Sequence, residues 1–429
     1  MSAAGNKQIS LPILDKVSAS IVLSLPFMRV FSLDVGFPFK IYEIAIILST
    51  IFSLVSLHLI LFNKTIFARG VWLVLYALAA LGLNLYVMNA GGPYDYLARF
   101  SPAADGVLKC GYVLLCVLGF NLIASAAQRN PSIVIRYWLI GATASAGIQF
   151  FFAITTILGY PVPHLPGMPE EVANQQFFSM GGIDIYRAGT FAEGNYAGPF
   201  FVLSFLIAVF SRRYYLALVF VLAIITSFST TAVIGLGGAA IYLAYKARKN
   251  VIPTFLAITT IIFFINTPLF NTVVLDKLAD QSESTSLSER LTSIETATEL
   301  FIEHPLLGVG LAQFGFFVPG VQSWFETDSS ALAEGKFIQL SKGISNNVYV
   351  ELASELGLVG LIFFVRFMFP IVTMIKNCPY ATLQAGMFAI FIFWIAAPTF
   401  TLMYYWAFLA LVCGVAKNAE GQEKIIFLK

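Results

Sequence analysis

Few side chains in this sequence could do chemistry, because only 11% of its 429 residues are charged and three are histidine. Those that could are unevenly placed. Arg187 lies in Gly181-Gly182-Ile183-Asp184-Ile185-Tyr186-Arg187-Ala188-Gly189-Thr190-Phe191-Ala192-Glu193-Gly194-Asn195, where glycines permit tight turns beside a guanidinium. A planar fork of N–H donors suits carboxylate or phosphate. Arg187 therefore reads either as an anion-binding residue or as the local partner of Asp184. Arg290 has only Ser286, Leu287, Ser293 and Ile294 at helical spacing, so no acid of its own helix can pair with it. Its counter-charge must be a distant acid or an anionic ligand. Glu351 and Glu355 fall in the first turns of a long apolar run, where ionisable groups are costly and point toward function. The histidines carry less weight. His58 reads as a packed or snorkelling imidazole, His164 as a loop residue among prolines, and His304 as a complement to a helix C-terminal dipole. Cys110, Cys116, Cys378 and Cys413 suggest neither a disulfide framework nor a metal site. No HExxH, CxxC, Walker or Rossmann pattern is present, and Gly308-Val309-Gly310 is too short for a nucleotide loop.

The elements that must hold these residues are set by composition. Hydrophobic residues make up 58% of the chain, 41 residues are Phe, and mean hydropathy is +0.82. Ordinary soluble domains carry roughly 25% charged residues. Soluble enzyme, nucleic-acid-binding protein and secreted disulfide scaffold are thereby excluded. Apolar runs at 17–33, 41–62, 70–88, 107–126, 134–160, 195–211, 214–228, 231–246, 251–267, 347–370, 380–397 and 400–416 read as helical spans. The segment 214–246 is divided in two at Ser227, Ser229, Thr230 and Thr231; as one tilted helix it would move every later loop to the other side. Gly235, Gly237 and Gly238 suggest close helix packing. Lys7 and Lys16 precede the first run as in an uncleaved signal anchor.

With the N-terminus cytoplasmic, most of the 25 Lys and Arg fall on the inner side, whereas of the 23 acids only Asp15, Glu420 and Glu423 do. About twelve spans with both termini cytoplasmic is the self-consistent arrangement. The chain then forms one integral membrane domain, residues 1–429, with two large outer segments, 161–194 and 268–346. In the second, Ser286 and Glu289 form a capping box, Pro305 ends the helix, and an amphipathic helix over 287–303 carries Leu287, Leu291, Ile294, Thr298 and Phe301 as its apolar stripe. Such a helix lies on the membrane surface or caps the bundle.

Taken in order, Arg290, Ala297, Phe301, His304-Pro305-Leu306-Leu307-Gly308-Val309-Gly310, Phe314 and Asn346-Asn347-Val348-Tyr349-Val350-Glu351 through Glu355-Leu356-Gly357 and Gly360 resemble the signature of the O-antigen polymerase and ligase superfamily. Arg187-Ala188-Gly189-Thr190-Phe191 with Asn195 resembles its other recurring block. The resemblance implies an all-α, polytopic, GT-C-like glycosyltransferase at the periplasmic face of a bacterial inner membrane, with a large helical loop between spans nine and ten. It implies an undecaprenyl-pyrophosphate-linked glycan as donor and no metal or nucleotide-sugar cofactor; the expected partners are that glycan, membrane lipid and the flippase and chain-length regulator of the same pathway, with no nucleic acid. Arg187 and Arg290 would clamp the leaving diphosphate, while Asn195, Asn346 and Asn347 would orient the acceptor. The family often has His-Asn before span ten, and Asn346 here cannot take a proton. That departure favours a polymerase over a ligase and leaves the base open among Glu351, Glu193 and Glu355. A transporter would show midplane charges and inverted repeats instead.

Overall fold

The computed structural model describes residues 3–34, 38–55, 62–88, 101–166, 168, 176–180, 183–246, 285–317, 345–397 and 399–421; at several element ends, 3–13 and 285–292 among them, the description is of the backbone. The predicted ninth span, 251–267, and His58 lie outside these residues. Elsewhere helices stand at the predicted runs: α1 Ala3–Ser24, α2 Ile41–Val55, α3 Lys64–Met88, α4 Pro102–Arg129, α5 Pro131–Ile157, α6 Gly194–Phe210, α7 Tyr214–Thr226 and α8 Thr230–Lys246. They continue as α9 Thr285–Glu303, the single turn α10 Phe314–Phe317, α11 Val348–Lys376, α12 Ala381–Phe393 and α13 Met403–Gly421. By length and composition α3, α4, α5 and α11 could each cross a membrane, and α2, α6, α7 and α12 are shorter apolar helices. The chain is a multi-pass helical membrane protein. Its core is aromatic, with Trp138 stacked on Phe200 at 5.5 Å and edge-on to Phe408.

Several expectations are corrected. The structure is not purely helical: β1 (Leu33–Asp34) pairs antiparallel with β2 (Pro38–Phe39), and β3 (Phe177–Met180) with β4 (Ile183–Tyr186). The first span stops at Ser24 rather than continuing to 33, because Pro26 disfavours helix for its neighbour and cannot donate within one. Helix α9 begins at Thr285, ahead of the expected cap at Ser286, a difference within the usual blur of helix ends. Its inward face is also rotated from the expected stripe. Ser293, Thr296, Ala297 and Leu300 are buried while Thr298 is exposed, since the face is chosen by contact with α11 and the 309–314 segment and not by apolarity alone. In α8, Gly235 and Gly238 admit Phe393 and Ile392 of α12, but Gly237 faces open space.

The division of 214–246 is real. Helix α7 ends at Thr226 and α8 starts at Thr230, with Phe228 at φ 45° between them. Ser229 caps α8 by accepting from the Ala232 amide at 3.2 Å. The starts of α6 and α8 therefore meet at one end of the bundle, and Phe191 just before α6 packs against Tyr404 at the start of α13.

Candidate active site

Two groups of polar residues gather at that end. The first surrounds Arg187, which follows β4. Its amide donates to the Gln176 carbonyl at 2.9 Å, and its Nη1 reaches the Phe228 carbonyl at 3.4 Å. Phe178 of β3 stacks on Phe228 at 4.2 Å, so the hairpin and the α7–α8 connection are clamped together. Gly194, the first residue of α6, allows this approach: a Cβ there would overlap the Ser227 carbonyl and lie 3.2 Å from the Arg187 side chain. Burial lowers the Arg187 pKa on balance, and the charge of Glu193 opposes part of that shift. Glu193 precedes α6 and makes no side-chain capping bond. Asn195, in the first turn, accepts from Ser229 Oγ at 3.4 Å. Pro199 supplies no amide to the Asn195 carbonyl, which weakens the helix where the polar residues stand. Arg29 was not singled out from sequence, yet its Nη1 donates to the Ala192 carbonyl at 3.3 Å in the same loop. The structure thus brings together Arg187, Glu193 and Asn195. Asp184, the other expected partner, stands on the exposed edge of β4.

The second group lies in the first turns of α11. Glu351 is buried, and both of its oxygens are engaged. Oε1 accepts from Lys109 Nζ of α4 at 2.8 Å, and Oε2 from the Phe400 amide at 3.2 Å. Lys109 also donates to Thr399 Oγ1 at 2.5 Å and lies over the Phe400 ring. Three separate parts of the chain are tied by one buried ion pair. Lys109 escaped the sequence reading because it counts there as one outer-side base among nine. Only its depth of two turns into α4 hinted at burial. Glu355, also buried, accepts from the Phe314 amide at 3.3 Å. Asn347 proves to be the N-cap of α11, accepting from Tyr349 and Val350 amides at 2.9 and 3.3 Å. Asn346 before it is half-buried in the left-handed region, at φ 50°. Arg290 belongs to α9, and its backbone register is that of Ser293, Ala297 and Leu300, the face packed toward α11. His304 follows α9, exposed beside Phe317, and His164 is exposed in the stretch after α5.

What holds these residues is a break in α11. Gly357 has φ 62° and ψ −173°, outside the helical region and open in practice only to glycine. The rungs 358→354 and 359→355 are replaced. Amides of Leu358 and Val359 donate to the carbonyls of Pro305 and Leu306 at 2.8 and 3.1 Å. Carbonyls of Ser354 and Glu355 accept from Val309 and Gly310 at 2.8 and 2.9 Å. Tyr76 Oη of α3 donates to the Leu356 carbonyl at 2.7 Å. Gly308-Val309-Gly310 is therefore a docking strand. A Cβ on Gly308 would lie 2.5 Å from the Glu355 carbonyl carbon, and one on Gly357 would overlap the Gly308 amide. Among the described residues, no three His, Cys, Asp or Glu side chains converge as a metal site requires.

Residues 215–365 match the family model described as O-antigen ligase. The match spans α7 to most of α11, including the docking strand, the break, Glu351 and Glu355; Arg187, Glu193, Asn195 and Lys109 lie outside it. It supports the O-antigen polymerase and ligase superfamily without separating polymerase from ligase. A comparison with curated proteins returned no match.

Proposed function

Starting from that superfamily, we propose that the chain is a polymerase of undecaprenyl-pyrophosphate-linked oligosaccharide repeat units for O-antigen, capsule or exopolysaccharide. It has a GT-C-like arrangement of about twelve spans, lies in a bacterial inner membrane with both termini cytoplasmic, and works at the periplasmic face. The observation carrying this reading is the meeting of Arg187, Glu193 and Asn195 where α6 and α8 begin.

In the reaction, the acceptor hydroxyl oxygen bonds to the anomeric carbon of the donor glycan. The bond from that carbon to the diphosphate breaks, and its electron pair leaves with the diphosphate. Negative charge grows on the leaving group, so a guanidinium already fixed by the Phe228 carbonyl and Glu193 stabilises the transition state with little reorganisation. Arg290 supplies the second cation from α9. Glu193 takes the hydroxyl proton, because it is the carboxylate standing beside the phosphate-binding arginine. Glu351 instead anchors Lys109, and Glu355 anchors the turn at Phe314. Asn195 and Asn346 offer amides to the acceptor. Asn347 spends its oxygen on the helix cap, which leaves its NH2 group for that role.

The ligase reading, transfer of glycan to lipid A-core, is favoured by the description of the matching family model. Against it stands Asn346 at the position where the ligases carry a histidine able to move a proton. Deleting the gene and separating surface glycans on a gel tests the choice. The polymerase reading expects core bearing a single repeat unit, or loss of the capsule or exopolymer. Bare core would establish the ligase, and an unchanged chain-length distribution would exclude both.

A further inference from the structure

A separate pair of cations lies away from the candidate active site, on the outside of the bundle. Arg69 of α3 and Arg366 of α11 line an open groove of about 300 Å³ together with Trp72 and Phe363. Arg366 stands about 12 Å along α11 from Leu358, just past the break, at ~1.5 Å per residue. Each helix contributes one arginine and one aromatic ring three positions apart, so each pair shares a helix face. The two faces converge, since Arg69 Nη1 donates to the Arg366 carbonyl at 2.9 Å. Among the described residues, no carboxylate lies within ion-pair distance of either guanidinium, unlike Lys40, Lys109 and Arg129.

The surroundings of the groove say what anion could reach it. Trp72 is 60% exposed, and Leu75, Ile362, Val365 and Phe369 beside it are exposed and apolar. In a multi-pass membrane protein such a surface faces acyl chains, which a soluble anion reaches poorly and a lipid reaches directly. We propose that this groove binds the phosphate headgroup of an anionic glycerophospholipid, with Arg69 and Arg366 holding the phosphate oxygens and Trp72 and Phe363 flanking the glycerol and upper acyl chain. Basic grooves between membrane helices suit lipid phosphates in this way, and guanidinium forks match phosphate geometry. Phe363 is also stacked on Tyr76 at 5.3 Å. A lipid bound against Phe363 is therefore one ring away from Tyr76, whose hydroxyl meets the break in α11.

The test uses the full-length protein in nanodiscs of phosphatidylcholine mixed with phosphatidylglycerol, followed by native mass spectrometry of the released protein. Wild type is expected to retain phosphatidylglycerol in preference to phosphatidylcholine. The R69Q/R366Q variant should lose that preference, with affinity falling on the order of tenfold per arginine. A second measurement leaves the arginines intact: quenching of Trp72 fluorescence by chain-brominated lipids, taken as the difference between wild type and W72F. Brominated phosphatidylglycerol should quench more strongly than brominated phosphatidylcholine. Equal retention of the two lipids by wild type, or equal quenching by both, would overturn the proposal.

Discussion

Arg187 and Lys109 are both cations near the start of a helix, but they keep different company. Lys109 is locked to Glu351, Thr399 and the Phe400 ring, deep between helices. Arg187 is half-buried at a loop, held by a carbonyl and by the field of Glu193. A buried pair broken on one side costs about 3–5 kcal/mol, whereas replacing both members with apolar residues is often close to neutral. Lys109→Met should therefore destabilise the protein by that amount, and the double variant K109M/E351L should recover most of the loss in a thermal melt. Because Glu351 is assigned to structure and not to proton transfer, the double variant should also still make polymer. A stable but inactive double variant would return Glu351 to the chemistry. Glu193→Gln should cut the rate by roughly 10²–10⁴ with insertion unchanged, the usual worth of a general base. Arg187→Ala and Arg290→Ala should each abolish polymer while the protein still reaches the membrane, and full polymer from either would remove that arginine from the mechanism.

At the scale of elements, the break in α11 organises the site. Two helical rungs are exchanged for bonds to the 305–310 segment, and Tyr76 takes the Leu356 carbonyl, so these backbone groups keep partners at the break. Gly357→Ala should cost about 1–3 kcal/mol from backbone strain alone, and the overlap with the Gly308 amide adds to that. Tyr76→Phe removes the donor to the Leu356 carbonyl and should cost about 1–3 kcal/mol, seen as a lower melting temperature. Gly308-Val309-Gly310 was legible as a motif and was set apart from nucleotide loops. Its real role was not legible, because it depends on a partner some fifty residues later that local spacing does not reveal. The same holds for Asn347: its type and place suit an N-cap, but resemblance drew attention to its possible contact with substrate. The division at Ser227 and Ser229 could be read because short polar residues interrupt an apolar run and can cap a helix. The end of α1 at Ser24 was missed because Pro26 sits inside an otherwise apolar stretch.

For the whole molecule, composition alone reached the multi-pass architecture, since long apolar runs leave helices as the solution to backbone hydrogen bonding. Pairings between distant helices, Lys109 with Glu351 above all, needed the packed structure. Sidedness is open to direct measurement. The native Cys110, Cys116, Cys378 and Cys413 are all buried, so a single introduced cysteine dominates labelling. Burial also raises the Cys378 thiol to about 11, which keeps it protonated and slow to react near neutral pH. An impermeant maleimide added to intact cells with a permeabilised outer membrane should label His164→Cys and not Arg213→Cys. The reverse pattern would place the candidate site on the cytoplasmic side. The central claim is tested most directly by purified protein given only lipid-pyrophosphate-linked repeat units, with products resolved by size. The account predicts a ladder of lipid-linked polymers from wild type and none from Arg187→Ala. Absence of any ladder from active wild type, with product forming only when lipid A-core is supplied, would contradict it.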